Sequence, residues 1–130
     1  GEQGSSHFTV EIISFGFRYG VPLDANLVMD VRFLPNPHFV PELRPYSGLE
    51  PQVRNFVLEQ QDTKVFLDQF LSLLQFLIPA YRREGKSYLT IAIGCTGGKH
   101  RSVVLANRIA DILSDKHFFV NVFHRDMHLE

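Results

Sequence analysis

Cysteine, tryptophan and long hydrophobic runs are scarce or absent in this chain of 130 residues. Cys95 is the only cysteine, so no internal disulfide can form, which is typical of proteins from a reducing cytoplasm. No apolar run approaches the roughly 20 residues of a membrane span, and the first residues lack the basic and apolar regions of a secretory signal. We therefore expect a soluble, cytoplasmic protein without a membrane partner.

A surplus of either charge is also missing, since 13 Lys and Arg residues stand against 14 Asp and Glu residues, with a formal net charge of -1. A chain without a net field does not attract nucleic acid as a whole, so any anion site must come from a local cluster of cations. The length suits one hydrophobic core. We expect residues 1–7 to be a linker or an expression remnant and residues 8–130 to form a single domain.

The spacing of apolar residues predicts an α/β fold, with a small, mostly parallel sheet of about four strands flanked by helices. Strands are expected at residues 8–15, 28–33, 87–93 and 118–123, and helices at residues 51–60, 63–83 and 101–116. The second helix has one polar stripe, formed by Asp68, Gln69, Ser72 and Gln75, and we expect the rest of it to be buried. Pro79 is expected to kink or split that helix near Gln75, because proline removes a backbone donor.

Residues 34–48, called here the proline-rich loop, contain four of the seven prolines: Pro35, Pro37, Pro41 and Pro45. Such a segment cannot form a regular helix or a central strand. Long loops in compact domains are usually functional, and this one carries Asn36, His38 and Arg44.

The predicted strands end in polar and basic residues, and parallel sheets bind ligands at the carboxyl ends of their strands. If the strands are parallel, their loops share one rim. Six cations would then lie on or near it: Arg18, Arg32, Arg44, Lys99, Arg101 and Arg125. The sequence therefore predicts a local cationic pocket.

Residues 94–102, reading GCTGGKHRS and called here the glycine loop, lie between a predicted strand and a predicted helix. Gly97 and Gly98 can adopt backbone angles that turn successive N–H groups inward, and the start of the helix adds its unpaired donors. Lys99 and Arg101 supply full positive charges. We expect this loop to bind a phosphate group; the alternative is a glycine turn with solvated basic residues.

Two known motifs can be compared with the glycine loop. The Walker motif does not fit, because Gly94 is one residue too close to Gly98 and His100 replaces the hydroxyl that binds magnesium. The signature C-x-x-G-x-x-R-[ST] of cysteine phosphatases fits through Cys95, Gly98, Arg101 and Ser102. A thiolate beside a helix start could attack a phosphate ester, with Asp30 or Asp126 as the acid. Cys95 could equally be a small buried residue at a strand end.

Four segments, SFGFRYG, DVRFLPNP, ELRPYSG and GCTGGKHRSV, resemble the C-terminal domain of the RapZ/YvcJ family, and the likeness extends from Phe8 to Asp126. The resemblance implies a bacterial protein whose full-length relatives carry an N-terminal ATP- or GTP-binding domain with Walker motifs, a domain absent from this sequence. It also implies a fold similar to a subdomain of phosphofructokinase. In this family the C-terminal domain binds small regulatory RNA and glucosamine 6-phosphate within homo-oligomers that recruit an RNase.

The resemblance, together with the loop chemistry, implies a noncatalytic site that contacts ligand through Cys95, Thr96, Gly97, Gly98, Lys99, His100, Arg101, Ser102, Asp30, Arg32, Asn36, His38, His124 and Arg125. Lys99 and Arg101 would hold phosphate, and Asp30 or Asn36 would pair with sugar hydroxyls or an amine. Alternatively, Asp30 pairs with Arg32, and the histidines are ordinary loop residues. No metal and no cofactor is expected.

Two features of the sequence bear on RNA binding. Phe15, Phe17 and Tyr19 could stack on bases or belong to the core. RapZ-like chains tend to end in a run of Lys and Arg, whereas this sequence ends with Met127, His128, Leu129 and Glu130. Affinity for RNA would therefore rest on the rim and be sensitive to salt.

Overall fold

Four parallel strands form one sheet in the computed structural model, which describes residues 7–129. The strands are Thr9–Gly16 (β1), Leu27–Asp30 (β2), Tyr88–Cys95 (β3) and Phe119–His124 (β4). The helices are Pro51–Leu58 (α1), Gln61–Arg83 (α2) and Arg101–Asp115 (α3). Across the sheet the strand order is β2, β3, β1, β4, and every neighbouring pair is parallel. The predicted α/β fold with about four strands is confirmed.

The register places the apolar residues of neighbouring strands side by side. Val10 pairs with Leu89, and Ile12 pairs with Ile91 on one side and with Val122 on the other. These residues share one face of the sheet, since side chains alternate along a strand. All three helices pack their buried residues into the core cluster on this same face, through Val57 of α1, Leu74 of α2 and Leu105 of α3 among others. The carboxyl ends of the four strands lie along one edge, as the sequence predicts.

Two details, at β2 and at α2, differ from the sequence-based expectations. β2 ends at Asp30 rather than at Phe33, because the Asp30 carboxylate accepts hydrogen bonds from the backbone N–H and the side chain of Arg32 and closes a turn. α2 continues through Pro79 to Arg83 without splitting. Pro79 lies on the exposed side of the helix, so the carbonyl that loses its donor can face water.

The expectation that α2 is buried apart from its polar stripe is wrong. Leu73 is 46% exposed and Phe76 is 67% exposed on its outer side. Only the inner side of α2, with Phe70, Leu74 and Ile78, belongs to the buried core cluster. Between residues 7 and 129, no helix has the length and hydropathy needed to span a membrane.

Candidate anion-binding site

Glycine allows the glycine loop to lie directly against the end of β1. A Cβ atom on Gly16 would lie 2.4 Å from the carbonyl carbon of Gly97 and 2.8 Å from the nitrogen of Gly98. Gly98 has a positive φ of 79°, and a Cβ there would lie 2.6 Å from the nitrogen of Gly16. Gly97, predicted to need the same freedom, does not have a positive φ and has open space around its Cβ position. Close backbone approach therefore explains Gly16 and Gly98, and Gly98 needs its positive φ as well, whereas neither constraint applies to Gly97.

The backbone of the loop leaves a series of donors without protein acceptors. Within residues 7–129, no N–H group from Gly97 to Val103 donates a backbone or side-chain hydrogen bond, and the first to do so is that of Val104, which bonds to the carbonyl of His100. Three of these groups belong to the first turn of α3, which begins at Arg101. An N-terminal helix turn with free donors attracts anions.

Arg101 joins the glycine loop to the start of the proline-rich loop. Its Nη1 donates to the backbone carbonyls of Arg32 (2.7 Å) and Leu34 (3.0 Å), and its Nη2 donates to Thr96 Oγ1 (3.4 Å). The residue is only 3% exposed, yet its Nε has no hydrogen-bond partner among the described residues. Burial lowers the pKa of this guanidinium from its usual value, and the neighbouring Cys95 and Asp30 oppose that effect. A buried charged donor without an acceptor is costly, so it favours a ligand acceptor at this position.

The proline-rich loop is ordered and forms the facing wall. Its 3-10 turn at Pro37–Phe39 begins at Asn36, whose side-chain oxygen accepts from the backbone N–H of His38. At its other end, Gly48 N–H donates to the carbonyl of Lys99 (2.8 Å), and the His100 ring lies 3.2 Å from the carbonyl of Arg44. The two loops are therefore fixed to each other at three places, counting Arg101.

Between these loops and the end of β1 lies a cavity of about 840 Å³, called here the rim cavity. Its charged lining residues are all basic, namely Arg18, Arg32, Arg44, Lys99 and Arg101, and no carboxylate lines it among the described residues. Arg32 is paired with Asp30, and Arg44 donates to the carbonyl of His38. The side chains of Arg18 and Lys99 have no protein partner within residues 7–129. The cavity therefore has free positive charge.

Nine of the fourteen predicted contact residues line this cavity: Arg32, Asn36, His38, Cys95, Thr96, Gly97, Lys99, His100 and Arg101. Five do not line it: Asp30, Gly98, Ser102, His124 and Arg125. Asp30 pairs with Arg32, which was the alternative interpretation of that residue. Gly98 packs against β1, and Ser102 accepts from the Cys95 thiol. The structure thus brings most, but not all, of the set together.

His124 and Arg125 form contacts within the protein. His124 Nδ1 lies 2.7 Å from Ser14 Oγ, and its Nε2 lies 3.0 Å from Asn107 Oδ1. Because the Asn107 oxygen can only accept, Nε2 carries the proton and Nδ1 accepts from the serine. Burial lowers the pKa of His124, in agreement with a neutral ring. Arg125 pairs with the buried Asp126 and donates to the carbonyl of Gly20.

Six lining residues were not in the predicted contact set: Arg18, Tyr19, Leu34, Phe39, Arg44 and Leu129. Two of them, Arg18 and Arg44, belonged to the predicted cationic rim. The hydroxyl of Tyr19 is buried and has no hydrogen-bond partner among the described residues. The sequence offered one signal for Tyr19, its position in the loop directly after β1. Phe39 and Leu129 carry no chemical signal of their own.

The residues expected to perform phosphatase chemistry are placed unfavourably for it. Cys95 is 2% exposed, and its Sγ donates to Ser102 Oγ (3.2 Å). Burial alone would raise the pKa of Asp126. The hydrogen bonds from Arg125 and from the Gly16 N–H outweigh burial, so the pKa of Asp126 is lowered. The Asp30 pKa is lowered chiefly by its hydrogen bond with the Arg32 side chain. Both carboxyl groups are therefore held in the form that cannot donate a proton.

A family model described as the RapZ C-terminal domain matches residues 8–128. The chain belongs to this family. Among its relatives, a protein of Trichlorobacter lovleyi is 73% identical over 127 residues, and one of Geotalea uraniireducens is 57% identical over 127 residues. Both are named nucleotide-binding proteins, and each alignment covers 98% of this chain. The RapZ-like chain nevertheless spans only 45% and 44% of the length of these two relatives.

Proposed function

We propose that the rim cavity is a noncatalytic sensor site for a phosphorylated small molecule, with a hexosamine phosphate such as glucosamine 6-phosphate as the best candidate. The proposal rests on one observation: several hydrogen-bond donors without protein acceptors among the described residues lie close together. Among residues 7–129, the Arg101 Nε is buried without a partner, the Lys99 and Arg18 side chains are unpaired, and the loop N–H groups have no acceptor. A phosphate group supplies the acceptors that these donors lack.

The remaining lining suits the polar body of such a ligand. Asn36, His38 and Thr96 supply side-chain donors and acceptors for hydroxyl or amine groups, and the Tyr19 hydroxyl is another. Phe39 and Leu34 supply apolar surface. The volume of about 840 Å³ lies within the range of small-molecule sites, roughly 300 to 1,000 Å³. A hexose phosphate fits with water, and so does a nucleotide, which the names of the relatives suggest for the whole proteins.

A second candidate function is RNA binding at the mouth of the same cavity. Arg18, Arg32 and Arg44 are exposed there, and the Phe39 ring is 75% exposed. Exposed cations beside an accessible aromatic ring can hold backbone phosphates and stack on a base. Binding of this kind would weaken strongly with salt, whereas a sugar phosphate inside the cavity would be affected less.

Calorimetric titration of the chain with glucosamine 6-phosphate tests the first proposal, with glucosamine and inorganic phosphate as partial ligands. We expect the sugar phosphate to bind most tightly, phosphate weakly, and glucosamine not measurably. Lys99→Ala should weaken binding of glucosamine 6-phosphate by roughly tenfold, the range of one charge-assisted hydrogen bond. The Lys99 side chain has no partner to lose within the part of the chain that the structure describes, so the variant should keep the stability of the parent.

Lys64→Ala is the matched control, because it removes the same charge from an exposed position on α2. It should bind like the parent. An equal loss of binding affinity in both variants would reveal a general charge effect and contradict the assignment of the rim cavity as the binding site. Absence of binding by every sugar phosphate at millimolar concentration would overturn the proposal. A gel-shift titration with single-stranded RNA, repeated with Phe39→Ala, tests the second candidate separately.

A further inference from the structure

A second cavity, of about 380 Å³, lies between α1 and α3 and shares no lining residue with the rim cavity. From α1 it receives Arg54 and Leu58, which are four residues apart and so lie on one face of that helix. From α3 it receives four residues with the spacing of one helix face, namely Val104, Asn107, Arg108 and Asp111. This cavity is called here the helix groove.

The helix groove contains charged groups of both signs. Within residues 7–129, the guanidinium groups of Arg54 and Arg108 form no hydrogen bond and no ion pair, and neither does the Asp111 carboxylate. An arginine binds a carboxylate through two parallel N–H groups, so two arginines in one cavity favour an anionic ligand group. Asp111 favours a cationic group in the same ligand. The rim cavity, in contrast, has no carboxylate among its described lining residues.

Asn107 adds a donor whose orientation is fixed from behind. Its Oδ1 accepts from His124 Nε2 (3.0 Å), so the two ends of the amide group are distinguished. The N–H groups of its Nδ2 have no acceptor among the described residues. An amide N–H binds a carboxylate and not an ammonium group. The donors of the helix groove therefore outnumber its acceptors, as an anionic ligand group requires.

Apolar side chains lie in the same cavity as the charges. Val104 is buried and Leu58 is half-buried, whereas Leu49, which directly follows the proline-rich loop, is 48% exposed. An apolar ligand group placed here would remove Leu49 from water, which is favourable. The volume lies near the lower limit of small-molecule sites, roughly 300 Å³. The helix groove therefore suits a small molecule with an apolar part and two opposite charges.

We infer that the helix groove binds a free amino acid with an apolar side chain, such as leucine. Arg54 and Arg108 hold its carboxylate, and Asp111 holds its ammonium group. Its side chain covers the apolar lining formed by Leu58 and Leu49. A phosphate ester suits this cavity less well, because Asp111 repels a dianion. The inference concerns a separate site and does not depend on the sensor role proposed for the rim cavity.

Calorimetric titration of the chain with leucine tests the inference, with two partial ligands for comparison. The compound 4-methylpentanoate lacks the amine, and 3-methylbutylamine lacks the carboxylate. Leucine should bind roughly tenfold more tightly than either, because each partial ligand leaves a charged group of the cavity unpaired. Absence of binding by leucine, methionine and phenylalanine at millimolar concentration would overturn the inference. Binding of 3-methylbutylamine as tight as that of leucine would also overturn it.

Variants of the charged residues assign the binding to the helix groove. Arg108→Gln should weaken leucine binding about tenfold and keep the stability of the parent, since its guanidinium has no partner to lose within residues 7–129. Asp111→Asn should weaken binding of leucine but strengthen binding of 4-methylpentanoate, because a repulsive charge is removed. A merely structural role of Asp111 would change both affinities in the same direction, and that result would contradict its contact with the ammonium group.

Two control variants keep this test separate from that of the rim cavity. Arg83→Gln removes the same charge from an exposed position in the last turn of α2 and should bind leucine like the parent. Lys99→Ala alters the rim cavity and should bind leucine like the parent as well. A loss of leucine binding in either control as large as that in Arg108→Gln would overturn the inference. Because no sugar phosphate is present in this titration, its outcome does not depend on the proposed sensor function.

Discussion

The backbone of Gly97 lies against Gly16 so closely that a Cβ on Gly16 would stand 2.4 Å from the Gly97 carbonyl carbon. Gly16 is the last residue of β1, and Gly97 lies at the centre of the glycine loop. The end of one strand therefore sets the position of the loop that follows its neighbour. Arg18 strengthens this contact, since its N–H donates to the carbonyl of Thr96 (3.1 Å).

Gly16→Ala should displace the glycine loop, because the new methyl group meets backbone atoms that cannot rotate away. We expect the free energy of unfolding in urea to fall by about 1 to 3 kcal/mol, the usual range for overpacking. Binding of glucosamine 6-phosphate should weaken as well, because the loop N–H groups move with the backbone.

Gly97→Ala is the control for this substitution. Its Cβ would meet no atom within 4 Å, and its φ is not positive, so the unfolding free energy should change by less than about 0.5 kcal/mol. A destabilisation of Gly97→Ala as large as that of Gly16→Ala would show that close approach is not the constraint. Gly97 lines the rim cavity, so a loss of binding without a loss of stability would place the ligand against it.

Much of the fold follows from local sequence pattern. Strand residues such as Ile91 and Ile93 and the helical spacing of Val104, Leu105 and Ile109 predict β3 and α3, which the structure confirms. The exposed side of α2 was not predictable, because Phe76 and Phe70 give the same apolar signal in the sequence. Only the arrangement of the helices makes Phe70 buried and Phe76 exposed. The strand order, with β1 inserted between β3 and β4, also depends on contacts distant in sequence.

Asp126→Asn should destabilise the protein, since the Asp126 carboxylate accepts from three buried or half-buried donors. These are the Gly16 N–H (2.8 Å) and the Nε and Nη2 of Arg125 (2.9 and 2.7 Å). An asparagine has one oxygen, so one donor would face an NH₂ group. We expect a loss of about 1 to 3 kcal/mol in the unfolding free energy.

The exposed pair of Asp30 and Arg32 provides a matched comparison, because it has the same two-point geometry with both side chains 47% exposed. Asp30→Asn should cost less than about 1 kcal/mol, as expected for a solvated ion pair. If the two variants lose equal stability, burial of Asp126 is not what gives its hydrogen bonds their strength.

The candidate site was predictable in part for a physical reason. The charge of a lysine or arginine and the backbone freedom of a glycine are known from the residue type alone. The sequence could therefore indicate Lys99, Arg101 and the rim cations. His124 was predicted to contact the ligand only because it follows the last predicted strand. In the structure its two ring nitrogens bond to Ser14 and Asn107 instead. The Tyr19 hydroxyl is buried without a partner among the described residues, and no local sequence pattern encodes that burial.

The stability of the unliganded protein should fall as the pH drops below about 6.5. Burial is the largest cause that lowers the pKa of both His100 and His124, and Lys99 adds to the effect at His100. With folded pKa values below the unfolded value of about 6.5, the unfolded chain binds more protons under acidic conditions. Stability from the neutral rings is therefore complete above this pH and is lost as the pH falls through the folded values.

Urea denaturation at pH 5 to 8 measures this dependence. The unfolding free energy should be flat from pH 7 to 8 and then decline by at most about 1.4 kcal/mol per pH unit for each histidine. His124→Gln should reduce the slope. A free energy that rises toward pH 5 would contradict the neutral state of both rings.

Cys95 should behave as a buried packing residue and not as a nucleophile. Although Cys95 lines the rim cavity, the residue is only 2% exposed, and its thiol hydrogen is directed to Ser102. Cys95→Ser preserves the size and the donor to Ser102, so it should bind glucosamine 6-phosphate within about twofold of the parent. The parent should not hydrolyse p-nitrophenyl phosphate between pH 5 and 8.

Alkylation measures directly how accessible the Cys95 thiol is. Iodoacetamide should modify Cys95 at least a hundredfold more slowly in the folded protein than in urea, because reaction requires opening of the structure. Rapid alkylation of the folded chain that phosphate suppresses would instead place a reactive thiolate in the cavity. Together with turnover that Cys95→Ser abolishes, that result would favour the phosphatase over the noncatalytic sensor.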